Sequence, residues 1–272
     1  MNRILKEADF KVITIEWLVT KGLLNDDAVL INELPVDNFS RRADLVVANG
    51  KLHAFEIKSD ADSLARLSGQ IKTYLSFFDK VTVICSKKYT SKALALLPKA
   101  VEILELHINN DCSSSLKVVR RGKIKEITDY YNFLSFVEKK ELINVLKQQG
   151  FSCHSGESRI SLCKKLGTLP KCFWRNVALN YLKKKYKATH ESFFENRNRK
   201  LIVSDLSHLS LQKMNCEKSS TLYEHERNDF NIERCQDYDA KLKKYGVDIS
   251  DNIYKLGFIA NSPIRVIPRM VK

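Results

Sequence analysis

Residues 41 to 58 constrain this chain more than any other stretch: Arg41-Arg42-Ala43-Asp44-Leu45-Val46-Val47, an Asn49-Gly50 turn, then Leu52-His53-Ala54-Phe55-Glu56-Ile57-Lys58. Asn-Gly between two apolar runs predicts a β-hairpin, because a type I′ turn needs positive φ at both central residues. Strand alternation then sends Glu56 and Lys58 to one face and Phe55 and Ile57 to the other. Two acids and a lysine thus converge on apolar strands, where each costs several kcal/mol to desolvate (roughly) unless paired or bound to a metal.

The elements around the hairpin follow from periodicity. Residues 12 to 21 read as a short apolar helix stopped by Gly22, a good residue just past a helix end. Val29 to Val36 reads as a first strand. The segment Ser59-Asp60-Ala61-Asp62 offers cap side chains for a helix whose stripe is Leu64, Leu67, Ile71, Leu75 and Phe78. Residues 80 to 85 and 101 to 106 read as buried strands separated by a helical segment at 91 to 97. The order α-β-β-β-α-β-α-β predicts an α/β layer with a partly parallel, mixed sheet. From residue 111 a hairpin is expected around Arg121-Gly122, pairing 116–119 with 123–127, and then helices at 130–149, 160–166 and 170–185. Within the last, Phe173, Trp174, Val177, Ala178, Tyr181 and Leu182 make an amphipathic stripe that reads as core rather than as a stacking platform. Beyond 199 the pattern weakens, and 219–239 is polar enough to be loop. The expected organisation is two domains, 1–110 and a mainly α-helical basic domain at 111–272.

Asp44 on one strand and Glu56-x-Lys58 on the next resemble the signature of the PD-(D/E)xK nuclease superfamily. Its restriction-endonuclease-like αβββαβ core matches the order read above. The helix after the hairpin carries Gln70-x-x-x-Tyr74, as in the branch containing lambda exonuclease and the RecB nuclease, and a spacing of four places both side chains on one helix face. The family's Pro-Asp dipeptide is absent, Ala43 standing before Asp44. A surface Glu–Lys pair would explain Glu56 and Lys58 alone, but it requires neither Gln70 nor Tyr74.

The resemblance implies a Mg2+-dependent nuclease, with Mn2+ able to substitute. Asp44, Glu56, the Ile57 carbonyl and an acid from the first helix would supply the hard oxygen ligands that this ion prefers. Glu16 is the favoured helix acid, and Glu33 is its rival, as a ligand or as a partner of Arg41 or Arg42. Lys58 would position the attacking water and offset charge at phosphorus. Gln70 would hold that water or a ligating acid, and Tyr74 a phosphate. Asp60 and Asp62 are more simply caps, and His53 belongs to the Phe55 face, away from the site.

Charge points to the same kind of partner. Residues 1–110 hold 15 Lys+Arg against 14 Asp+Glu, so of the net +14 the remainder carries +13. Such asymmetry suits a chain that works on a polyanion and leaves backbone attraction to one part. Candidate phosphate contacts are Arg41, Arg42, Lys72, Arg120 and Arg121 within the run 117–125, and Lys183, Lys184 and Lys185. DNA is favoured over RNA because most of the family cuts DNA. A catalytically silent nucleic-acid-binding module and an RNA-directed enzyme or toxin are the alternatives. Two-strand cutting would call for a homodimer or sequential nicks, and an inhibitor or partner protein is left open. Seven single cysteines without a CxxC pair argue against structural zinc and for reduced thiols. No signal-peptide core or membrane-spanning run is found, so a cytoplasmic protein is expected, and the resemblance implies a bacterial one.

Overall fold

The structure is a computed structural model that describes residues 5–109, 113–195 and 200–211. Its centre is a six-stranded mixed sheet in sequence order: β1 (Val29–Val36), β2 (Arg41–Ala48), β3 (Leu52–Lys58), β4 (Lys80–Ser86), β5 (Glu102–Ile108) and β6 (Ser114–Arg120). The β1/β2, β2/β3 and β5/β6 pairs are antiparallel, and β3/β4 and β4/β5 are parallel. Both parallel pairs need crossovers: α2 (Leu67–Phe77) joins β3 to β4 and α3 (Lys87–Leu96) joins β4 to β5. Successive right-handed crossovers in one direction along a sheet place their helices on one face. Leu67, Ile71 and Tyr74 of α2 and Tyr89 and Ala93 of α3 accordingly share a core with Ala54, Val81 and Ile103. Helix α1 (Glu7–Thr20) covers the opposite face, where Phe10, Ile15 and Leu18 meet Leu45, Phe55, Ile84 and Leu104.

The hairpin forms at Asn49-Gly50, with a different turn. Ala48 pairs with Leu52, so three residues connect the strands, and Gly50 at φ 63 is the connection's left-handed residue. A three-residue loop with glycine in that role is the next commonest hairpin solution after type I′. The acids at 59–62 also act otherwise than expected. Asp62 Oδ2 accepts from the Ser59 N–H at 2.8 Å and from Ser59 Oγ at 2.6 Å, closing a separate turn, and α2 begins only at Leu67.

The expected second hairpin is replaced by an extension of the sheet. β6 pairs with β5, and residues 123–127 run back as irregular chain whose Lys123 N–H meets the Ala100 carbonyl at 2.8 Å. Gly122 serves close approach: a Cβ there would lie 2.6 Å from the Glu102 nitrogen. Position 110 therefore falls between two paired strands, and the expected boundary there does not separate two cores.

Helices α4 (Tyr130–Leu134), α5 (Lys139–Gln148), α6 (Arg159–Gly167) and α7 (Lys171–Phe194) make the helical C-terminal region. The single helix expected at 130–149 is broken at 135–138, where Arg159 Nη2 donates to the carbonyls of Leu134, Ser135 and Val137 at 2.7, 2.9 and 2.6 Å. One guanidinium thus satisfies acceptors that a helix end orphans. Phe133, Leu142, Leu162, Trp174, Ala178 and Leu182 join the core on the α2 face, so the aromatic stripe of α7 is core as expected. The end of α7 reaches the other side: Phe193 packs with Phe10, Leu30 and Leu209, the last from a 3-10 helix at Val203–Leu209. Where it crosses β1, His190 Nδ1 accepts from the Leu30 N–H at 3.1 Å, closing part of an otherwise open sheet edge.

A buried ion pair joins helix to sheet. Asp79 accepts from the Leu52 and Ile127 N–H groups, each at 2.9 Å, and from Arg175 Nη2 of α7 at 2.8 Å. Arg175 also stacks over Phe133, 4.4 Å from the ring centre. All described residues lie in one unit spanning 1–215, and 219–239 and Cys112, Cys216 and Cys235 lie outside them. Cys85, Cys153, Cys163 and Cys172 are free thiols. No described helix is long and apolar enough to cross a membrane.

Candidate active site

Strand register builds the site. The β1/β2 ladder places Glu33 at the position opposite Asp44, and continuing the β2/β3 ladder one step past Leu45↔Phe55 places Asp44 opposite Glu56. Three acids therefore form a row across three adjacent strands. The regular pairing lapses along this row: Glu33 has φ 59, rare for a side-chain-bearing residue, and Asp44 Oδ2 accepts from the Ile57 N–H at 2.7 Å in place of a ladder bond.

Glu56 is the most enclosed of the three, 1% exposed. Its Oε1 accepts from Lys58 Nζ at 2.7 Å and from Gln70 Nε2 at 2.6 Å, and its Oε2 lies 2.9 Å from the Tyr74 hydroxyl. That hydroxyl is also 2.6 Å from the Arg42 carbonyl. Tyr74 is fully buried, and burial together with the Glu56 charge pushes its phenol far above the usual range. The Gln-x-x-x-Tyr pair thus grips the acid itself. Tyr74 is beyond the reach of a phosphate, contrary to the sequence expectation, and Gln70 holds an acid, one of its two expected roles.

Burial, with the neighbouring Glu56 charge, raises the Asp44 carboxyl well above the ordinary carboxylate value, against the opposing effect of the Ile57 hydrogen bond. Two further groups come from α1. Glu7, Glu33 and Asp44 offer carboxylate oxygens that all lie within 4.8 Å of one another. Lys11, 5% exposed, pairs with Glu7 at 3.0 Å and with Glu33, which also pairs with Arg42. Burial opposes the Lys11 charge, but the Glu33 hydrogen bond and the surrounding carboxylates outweigh it and raise its pKa.

From α1 it is Glu7 that stands beside Glu33 and Asp44, where the sequence favoured Glu16. Helix α1 starts at Glu7, five residues before the expected start at 12. Nine residues on, Glu16 is two and a half turns away, which at 100° per residue points it to the opposite side of the helix, about 13.5 Å along the axis. It does not line the cleft. The rival, Glu33, does. The cleft has a volume of about 840 Å³ and opens between this row and a rim bearing Arg41, Arg42 and Arg66. Asn32 Oδ1 and Gln70 Oε1 are buried without a partner, and both residues line it.

The basic residues separate into two groups. Arg41, Arg42 and Lys58 line the cleft; Lys72 is exposed on α2 but does not. Arg120 donates to the carbonyls of Val101, Leu94, Leu97 and Pro98 and so braces a loop, which corrects its assignment as a phosphate contact. Lys183 pairs with Asp27 at 2.6 Å and Lys185 with Glu138 at 2.7 Å, whereas Arg121 and Lys184 are exposed. His53 stacks on Phe55 and bonds Thr82 Oγ1 at 2.7 Å, away from the site as expected. Sequence reasoning missed Glu7, Lys11, Asn32 and Arg66. The first two had a legible signal, an acid and a base four apart at the start of an apolar helix.

Among solved structures, the SPO1766 protein of unknown function from Silicibacter pomeroyi aligns with 56% of this chain and 99% of its own length, at a TM-score of 0.34 and 16% identity. Protein cII of Enterobacteria phage P4 is 36% identical over 257 residues, covering 92% of this chain and 96% of its own. The model of the family described as Bacteriophage P4 protein cII matches residues 1–210, and the chain accordingly belongs to that family.

Proposed function

We propose that this chain is a divalent-cation-dependent nuclease that hydrolyses phosphodiester bonds, with DNA as its preferred substrate, on a restriction-endonuclease-like core formed by α1, β1–β3, α2 and β4. The supporting observation is the row Glu33, Asp44 and Glu56, with Lys58 2.7 Å from Glu56 and Gln70 and Tyr74 fixing the same carboxylate. The donor set suits Mg2+ or Mn2+: clustered carboxylates, two unpartnered amide oxygens and a raised Asp44 that a cation would relieve. Asp44, Glu56, the Ile57 carbonyl and, from α1 and β1, Glu7 and Glu33 would hold it. Such an ion, when bound, polarises a phosphate oxygen and acidifies a water.

The chain's own residues supply the rest. Lys58 is anchored on Glu56 and carries a compact charge on the cleft wall, where it can orient a water and offset charge at phosphorus. Gln70 and Tyr74 hold Glu56 in one rotamer. Arg41, Arg42 and Arg66 face the space a backbone phosphate would enter. Nucleic acid in the bacterial cytoplasm is the partner this arrangement suits.

The test is digestion of supercoiled plasmid, linear duplex and structured RNA with Mg2+ or EDTA, comparing wild type with Asp44→Ala and Lys58→Ala. Metal-dependent cutting lost in both variants supports the reading, and the substrate preference assigns DNA or RNA. Salt-sensitive binding without cutting by any of the three proteins would replace it with a nucleic-acid-binding role.

A further inference from the structure

Phe39 is the most exposed large hydrophobic side chain among the described residues, at 84%, ahead of Ile160 at 65%. It lies in the β1–β2 connection, on the wall of the same cleft as Arg41, Arg42, Lys58 and Arg66. The backbone beneath it is unusual: Asp37, Asn38 and Phe39 have φ of 52, 49 and 68. Asparagine and aspartate enter the left-handed region readily, whereas a bulky aromatic there is an outlier, and such outliers gather where a ligand is clamped. The turn is locked. The Ser40 N–H donates to the Asp37 carbonyl at 3.0 Å, Ser40 Oγ donates to Asp37 Oδ2 at 2.8 Å, and Arg41 Nη1 donates to the Ser40 carbonyl at 3.1 Å.

An aromatic ring held out on a fixed backbone loses little freedom when something covers it. The surroundings select the occupant. The same cleft carries five acids, Glu7, Glu33, Asp44, Glu56 and Asp62, which are the groups a cation would neutralise, and four bases, of which Arg41 and Arg42 follow Phe39 within three residues. A nucleotide presents a phosphate and a flat π-face within one residue's length, which suits an aromatic ring beside two guanidinium groups. We propose that Phe39 is a base-stacking wedge. Its ring covers the face of a nucleobase exposed at a strand end or a distorted step, while Arg41 and Arg42 take the adjoining phosphates. The inference rests on the nucleic-acid reading of the cleft and adds the residue that grips the base.

The experiment measures binding of a fluorescein-labelled single strand, and of a duplex with one unpaired base, by anisotropy in EDTA over a range of salt. Wild type, F39A, F39W and Arg41→Ala are compared. F39A is expected to weaken binding roughly 5- to 150-fold, the span of one lost base–aromatic stack, with an unchanged slope of log affinity against log salt. Arg41→Ala should lower that slope by about one. The tryptophan introduced by F39W should be quenched on binding, and replacing the unpaired base by an abasic site should abolish the quenching. F39A binding as wild type does, or an unquenched tryptophan in bound F39W, overturns the wedge and leaves the nuclease reading intact. Loss of self-association in F39A with nucleic-acid affinity unaltered also overturns it and assigns the ring to a second copy of the chain. Failure of the wild type to bind any nucleic acid overturns the cleft reading and the wedge together.

Discussion

Asp79, just ahead of β4, and Asp44, on β2, are carboxylates packed at the same sheet, and their surroundings treat them in opposite ways. Asp79 accepts two backbone N–H groups and one arginine, is 2% exposed and does not line the cleft. Asp44 accepts one N–H, faces Glu33 and Glu56 along its row, and lines the cleft together with the unpartnered amide oxygens of Asn32 and Gln70. A charge buried for architecture has its hydrogen-bonding capacity filled by the chain, because a half-satisfied network is costly. Under the proposed function, the charge at Asp44 is left incomplete because a bound cation is to complete it.

The largest effect expected of breaking this contrast is on the closed side. Arg175→Ala strips Asp79 of its counter-charge and should cost about 3–5 kcal/mol in chemical denaturation, with loss of the cooperative transition at physiological temperature. Next comes the open side. Lys58→Ala should lower cleavage about 10²- to 10³-fold, with a smaller loss of stability than Arg175→Ala because Gln70 and Tyr74 still hold Glu56, and Lys58→Arg should not restore cleavage, which single-turnover kinetics and denaturation would show.

Asp44→Asn sharpens the contrast through pH. Because the folded Asp44 is raised, the native state binds more protons than the unfolded state between the ordinary carboxylate value and the raised one. Metal-free wild type should therefore lose stability as pH rises through that window, a loss complete above the folded pKa and absent below the unfolded one. Asp44→Asn should flatten this segment of the profile. Mg2+ at a hundred times its Kd should return about 2.7 kcal/mol to wild type and much less to Asp44→Asn, as read by thermal melts with and without EDTA. The smallest effect is expected at the surface. Lys185→Ala removes an exposed pair with Glu138 and should change stability by under about 1 kcal/mol, so a larger loss would show that the helical region depends on its rim charges.

The sheet was legible because its signals are local: β-branched runs, alternation and Asn49-Gly50 placed β1 to β5 within two residues of their observed ends, apart from the 48–52 turn. β6 was misread because Gly122 looks like a turn residue, whereas its use is a contact with Glu102 that exists only once the fold does. The break at 135–138 was invisible for the same reason, since the arginine that caps it lies over twenty residues on. Within the site, Asp44, Glu56, Lys58 and Gln70 followed from spacing and family pattern. The alignment of Glu33 with Asp44 depends on register and on a positive φ, and neither is written in residue order.

The pair that joins Asp79 to Arg175 spans 96 residues of chain, and this sets a schedule. A ribosome adding about 5–20 residues each second needs roughly 5–20 s to go from one to the other. For that interval the nascent sheet holds a carboxylate without its arginine at the start of β4, and the edge along Leu30 waits for His190. The acidic row can be threaded together early, but its frame cannot close until α7 has been made. Synthesis thus delivers the site late, after most of the chain that surrounds it already exists.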